Sequence, residues 1–170
     1  MSLLKYSEFI NTECRVLKPI LSIKALKIDA NIKSLKKRLG CKNLKSCDYF
    51  KRNKQKFYFI EISDFNAQFE DLASSKTSKD TIKEINLEVR LKLSDTLLIY
   101  QKLLEKFNLK IDNCNLSKKA LLSVCRENTR DSMFLDKITR DLSRHYCPEH
   151  LSSIKLIPYT ELEKIFKSKR

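Results

Sequence analysis

The chain has 170 residues, 42% of them hydrophobic and 33% charged, with 35 Lys and Arg against 21 Asp and Glu for a formal charge of +14. That is apolar material for one continuous core, and the expectation is a single domain over residues 1–170, with an N-terminal helical part (1–40) and an α/β part (41–170). One glycine and three prolines exclude Walker A loops, GxGxxG dinucleotide folds and nucleophile elbows, which need glycine where the backbone takes positive φ or touches phosphate.

The opening residues Met1–Glu8 hold no sustained apolar stretch, and no later segment has the length and apolarity of a membrane span, so the expectation is a cytoplasmic protein with no membrane partner. Residues Leu3 to Leu17 mix apolar and polar positions at helical spacing and stop before Pro19, which predicts a helix. Ile20 to Ile28 is ambiguous. Asp29 is placed to cap a helix with the apolar stripe Ile32, Leu35 and Leu39, a stop at Gly40, and Lys33, Lys36, Lys37 and Arg38 turned outward.

Ser46-Cys47-Asp48-Tyr49-Phe50, the polar run Lys51 to Lys56 and Phe57-Tyr58-Phe59-Ile60-Glu61-Ile62-Ser63 predict a β-hairpin. Its second strand is apolar on both faces and therefore belongs in the middle of the sheet. A loop at Ala73 to Lys79 leads to Asp80, placed to cap a long helix through Ile82, Ile85, Val89, Leu93, Leu97, Leu104 and Phe107, with Leu87, Leu91 and Leu98 widening the buried stripe. Ala120 to Cys125 is a strand, Phe134, Leu135, Ile138 and Leu142 mark a helix, and Ile154 to Ile157, ended by Pro158, is a strand parallel to the previous one. Thr160 and Glu163 have the spacing of a capping box opening a last helix. The fold class expected is α/β, with a mixed central sheet containing a β-hairpin and a strand-helix-strand crossover, flanked by helices.

In this element order, with Lys45-Ser46-Cys47-Asp48-Tyr49-Phe50 leading to Phe57-Tyr58-Phe59-Ile60-Glu61-Ile62-Ser63, the chain resembles the PD-(D/E)XK, or restriction-endonuclease-like, nuclease superfamily over roughly residues 40 to 160. The resemblance implies that Asp48 and Glu61 are the carboxylates that hold a divalent metal such as Mg²⁺. The family's lysine position holds Ser63, a neutral hydroxyl that brings no charge to a developing phosphorane. Some members recruit a lysine from the next helix, and Lys92 is the candidate, so the catalytic set is Asp48, Glu61 and Lys92. A two-residue turn at Asn53-Lys54 would set Asp48 opposite Phe59, with Glu61 its diagonal neighbour at ~7 to 8 Å. The bland alternatives are a strand-edge Asp48, a Glu61 paired with a lysine, and a helix-surface ion pair between Glu88 and Lys92.

Lys33, Lys36, Lys37, Arg38, Lys42, Lys45, Lys51, Arg52, Lys54 and Lys56 crowd one stretch with Asp48 as its only acid, a candidate surface for DNA or RNA phosphates. An anionic membrane surface, an acidic protein or biased lysine usage would leave the same composition. His145, Cys147 and His150 are read as ordinary helix-end residues, since structural zinc takes four ligands. Cys14, Cys41, Cys47, Cys114, Cys125 and Cys147 show no CxxC pair and are read as reduced thiols. The leading expectation is a nucleic-acid-binding, nuclease-like domain with a degenerate site, a small subunit of a larger complex. The alternatives are an active Mg²⁺-dependent phosphodiesterase and a protein-interaction subunit with a basic face.

Overall fold

The computed structural model describes residues 3–12, 20–28, 35–53, 56–109, 117–124, 132–146 and 150–167. They form an α/β fold around a six-stranded mixed sheet: β1 (Ser7–Asn11), β2 (Ile20–Lys27), β3 (Tyr49–Asn53), β4 (Lys56–Ser63), β5 (Ser117–Val124) and β6 (Ser153–Pro158), in that spatial order. The first four pair antiparallel, and β4, β5 and β6 run parallel. The helices are α1 (Leu35–Arg38), α2 (Phe65–Ala73), α3 (Ser78–Lys106), α4 (Ser132–His145) and α5 (Leu162–Lys167).

The sheet separates two cores because side chains alternate across it. On one side Phe57 and Phe59 of β4, Phe50 of β3, and Ala120 and Leu122 of β5 pack with Ile85, Val89, Leu93 and Leu103 of α3 and Ile138 and Leu142 of α4. Tyr100 of α3 closes a ring cluster with Phe50, Phe57 and Phe59, centroids 4.6 to 6.1 Å apart. On the other side Tyr49, Tyr58, Ile60 and Leu121 meet Leu21 and Ile23 of β2, Tyr159 and Leu162. β4 is thus buried from both directions, as its continuous apolar run predicts.

Several local expectations are overturned. Residues Ser7–Asn11, within the expected N-terminal helix, are a strand instead, because β2 offers a ladder to pair with. Residues 65–73 form α2, whose cap is Asp64: its carboxylate accepts from Ala67 N at 3.0 Å. α3 is capped by Thr77, whose hydroxyl accepts from Asp80 N, so Asp80 lies in the first turn. Leu87, Leu91 and Leu98 are exposed on its outer face, not buried. The helix expected from Asp29 is seen over Leu35–Arg38, followed by Gly40 at φ 73°, the left-handed stop that glycine allows; residues 29–34 lie outside the described residues. The last helix follows a 3-10 turn, Tyr159–Glu161, entered from Pro158 without a side-chain cap. Glu163 Oε1 instead accepts from Ser22 N at 2.7 Å and Ser22 Oγ at 2.9 Å, tying α5 to β2. No helix among the described residues is long and apolar enough to cross a membrane.

Candidate functional site

Asn53 pairs with Lys56 and Tyr49 with Ile60, so the connection is centred one residue later than Asn53-Lys54. Moving the centre by one residue moves the pairing by two, which preserves the face. One further step along this register sets Asp48 level with Glu61, directly across rather than diagonal. Asp48 is anchored at both ends: its carbonyl accepts from Ile28 N at 2.9 Å and its Oδ2 from Ile62 N at 2.8 Å.

Glu61 shares the face of Phe57 and Phe59 and so points under α3. There Lys92 Nζ meets its Oε1 at 2.6 Å and lies 3.5 Å from Glu88 Oε1. Both bland alternatives, a Glu61 paired with a lysine and a helix-surface ion pair between Glu88 and Lys92, are therefore present, and the shorter contact is the one that crosses from helix to sheet. Thr96 fixes this part of α3: its hydroxyl donates to Lys92 O at 2.5 Å and accepts from Cys47 N at 2.8 Å. Asp95, one residue before, accepts from Lys45 N at 2.8 Å. These anchors, with Gln68 Nε2 donating to Ser63 Oγ at 2.7 Å, escaped the sequence reading. Only the helical spacing of Lys92, Asp95 and Thr96 hinted at them.

The electrostatics follow from burial. Glu61 is 3% exposed, and burial, reinforced by the Asp48 charge and only partly opposed by Lys92, pushes its carboxyl up to about 8. Burial alone would lower Lys92, but Glu61, through charge and hydrogen bond, with Glu88 and Asp48, raises it instead. The pair is a firmly charged ammonium against a carboxyl driven toward its neutral form. Cys47, fully buried beside them, is raised by burial first and by Glu61 next, so it is a protonated thiol. Glu61 Oε2 is buried without a hydrogen-bond partner among the described residues.

Among the described residues no group of three or more His, Cys, Asp or Glu is disposed to hold a metal ion. As arranged, the donors do not suit Mg²⁺, because one Glu61 oxygen carries the ammonium of Lys92 and Asp48 Oδ2 carries the Ile62 N–H.

The basic stretch is divided by the fold. Lys37, Arg38, Lys42 and Lys45 are exposed around α1 and the loop after it, whereas Lys36 is 7% exposed and turned inward, contrary to expectation. Arg52 lies on the α3 side of β3 with Phe50. Lys51 and Lys56 lie on the opposite side, where Lys51 Nζ donates to Lys24 O at 2.5 Å. Lys33 and Lys54 lie outside the described residues, as do Cys14, Cys114, Cys125 and Cys147. His145 and His150 are exposed, and His145 stacks edge-on against Tyr146. Cys41 and Cys47 are free buried thiols.

Models of known protein families, curated proteins and solved structures were compared with the chain, and none of them matches.

Proposed function

We propose that the chain is a nucleic-acid-binding domain with a restriction-endonuclease-like core and a degenerate nuclease site, working as a small subunit of a larger assembly. The observation that carries this reading is the contact between Lys92 and Glu61 beside Asp48. Residues far apart in sequence converge where metal-dependent phosphodiester chemistry would place two carboxylates and a cation. The same contact supports loss of activity. Burial and the Asp48 charge favour the protonated form of Glu61, and that proton must leave before the carboxyl can hold a divalent cation. Its ammonium partner is held by Glu61 rather than offered to a substrate. Ser63, at the family's lysine position, is engaged by Gln68. The charge of +14 supports an affinity for polyanions that outlasts chemistry. A domain that binds without cutting acts through a partner, which is why an assembly is proposed.

Retained Mg²⁺-dependent hydrolysis is the second reading, favoured by the unpartnered Glu61 Oε2. Incubating the protein with supercoiled DNA, linear DNA and RNA in Mg²⁺ or Mn²⁺ separates the two. No cleavage is expected, and Asp48→Ala and Glu61→Ala should leave binding nearly unchanged. Cleavage lost in both variants and in Lys92→Ala would establish the active enzyme.

A further inference from the structure

On the face of the sheet turned away from α3 and α4, three lysines stand in a diagonal line across three adjacent strands. Lys56 opens β4, and Lys119 of β5 pairs with Tyr58, two residues further along. Lys155 of β6 pairs with Leu121, two residues further again. Steps of two keep all three side chains on one face, and strand spacing with strand rise sets successive Cα atoms ~8 Å apart. α5 is tied to β2 on this side and leaves the ladder open: Lys56 and Lys155 are exposed and Lys119 partly so.

Among the described residues no carboxylate is paired with any of the three, and the acids on this side are taken elsewhere, Glu161 by Lys164 and Glu163 by Lys167. Lys119 loses proton affinity through burial and then through the charges of Lys56 and Lys155, with no acid to offset them. A row of like charges at regular intervals costs self-repulsion until a linear polyanion lies along it.

We propose that Lys56, Lys119 and Lys155 form a track for the phosphodiester backbone of a nucleic-acid strand. The inference rests on the reading of the chain as a nucleic-acid binder and deepens it. It sets the contact on the opposite face of the sheet from Asp48, Glu61 and Lys92, so a strand on this track is held without being delivered to those carboxylates. Regular spacing along a line suits a phosphate backbone, whereas a folded acidic protein presents its carboxylates in patches.

The test measures binding of a fluorescein-labelled single-stranded oligonucleotide and its duplex across a KCl series. The wild type is compared with a Lys56→Gln, Lys119→Gln, Lys155→Gln variant and with a Lys37→Gln, Arg38→Gln, Lys42→Gln variant of equal charge loss. The ladder variant should bind about tenfold or more weakly at low salt. Its slope of log K against log salt should fall by about 2 for the single strand and about 3 for the duplex. The α1 variant should keep more of the slope, and Lys155→Gln alone, at an exposed edge position, should lower it by about 0.7 to 0.9. If the wild type binds and the ladder variant matches it, or if the α1 variant loses more, the track is wrong while the nucleic-acid reading stands. If the wild type binds neither probe, both fall. Binding of poly-glutamate as tightly as DNA assigns the ladder to an acidic protein instead.

Discussion

The two faces of the sheet are built from the same strands and differ in what covers them. Under α3 and α4 the side chains of β4 are aromatic until Glu61, and that buried carboxyl is met by Lys92 from the covering helix. On the other face the cover is a short helix reaching β2, and the strands beyond it carry Lys56, Lys119 and Lys155, which among the described residues have no acid paired with them. A covered face must satisfy each charge internally, whereas an open face can leave charges for an outside partner. The Lys92 ammonium is therefore a component of the fold, whereas the fold gives the ladder lysines no such internal role among the described residues.

The largest expected effect tests how unequal the covers are. Phe59→Ala, removing a fully buried ring from the cluster of Phe50, Phe57 and Tyr100, should cost about 3 to 5 kcal/mol in urea unfolding. Leu162→Ala under α5, also fully buried, should cost about 2 to 3 kcal/mol. A reversed order would show that the α5 side carries the stability. Next, Lys92→Met removes the charge that opposes the upward shift of Glu61, so Glu61 must hold a proton where the wild type is partly ionised and the pair's attraction is lost. The Lys92 side chain is 23% exposed, so the loss near pH 8 should be about 2 to 3 kcal/mol, below that of a fully buried pair. At pH 5 the deficit should shrink, because Glu61 then holds a proton.

The pH dependence of the wild type sharpens the same contrast. With Glu61 raised from 4.5 to about 8, the native protein keeps a proton that the unfolded chain releases. Its contribution is therefore lost as pH rises across that window, by at most about 1.4 kcal/mol per pH unit. Glu61→Gln should remove this slope from a plot of unfolding free energy against pH. A variant as steep as the wild type would place the responsible group elsewhere. The smallest change concerns the open face. Glu163→Ala releases α5 from Ser22 and should cost about 1 kcal/mol. It should leave the pH slope of Glu61 untouched.

What the sequence revealed depended on the range of the interaction. The hairpin was legible because aromatic strands flank a polar turn, and α3 because its apolar residues recur at helical spacing. Leu21, Ile23 and Ala25 of β2 alternate in burial with Ser22 and Lys24, a period-two pattern that should have marked a strand. α2 went unread, although Asp64 followed by Phe65, Phe69 and Leu72 carries a cap and a helical stripe. Locally, Lys92 looked like the i+4 partner of Glu88. Its stronger partner, Glu61, is set by the packing of α3 on β4, which no local pattern encodes. The lysine ladder was illegible for a similar reason. Lys56, Lys119 and Lys155 line up only through the registers of three strands, whereas the dense run from Lys33 to Lys56 looked like one patch and is divided by strand alternation.

The two neighbours of β4 also give the molecule an order of assembly. Its antiparallel partner is joined through the two residues between Asn53 and Lys56, a loop whose closure costs little and whose hairpin forms in about 1 to 10 μs. Its parallel partner first meets it where Lys56 pairs with Ser117, so that pairing waits until α2 and α3 have spanned the interval and is the slow, high-contact-order step. Until then the apolar edge of β4 has no strand beside it, which makes this the moment of greatest aggregation risk during folding.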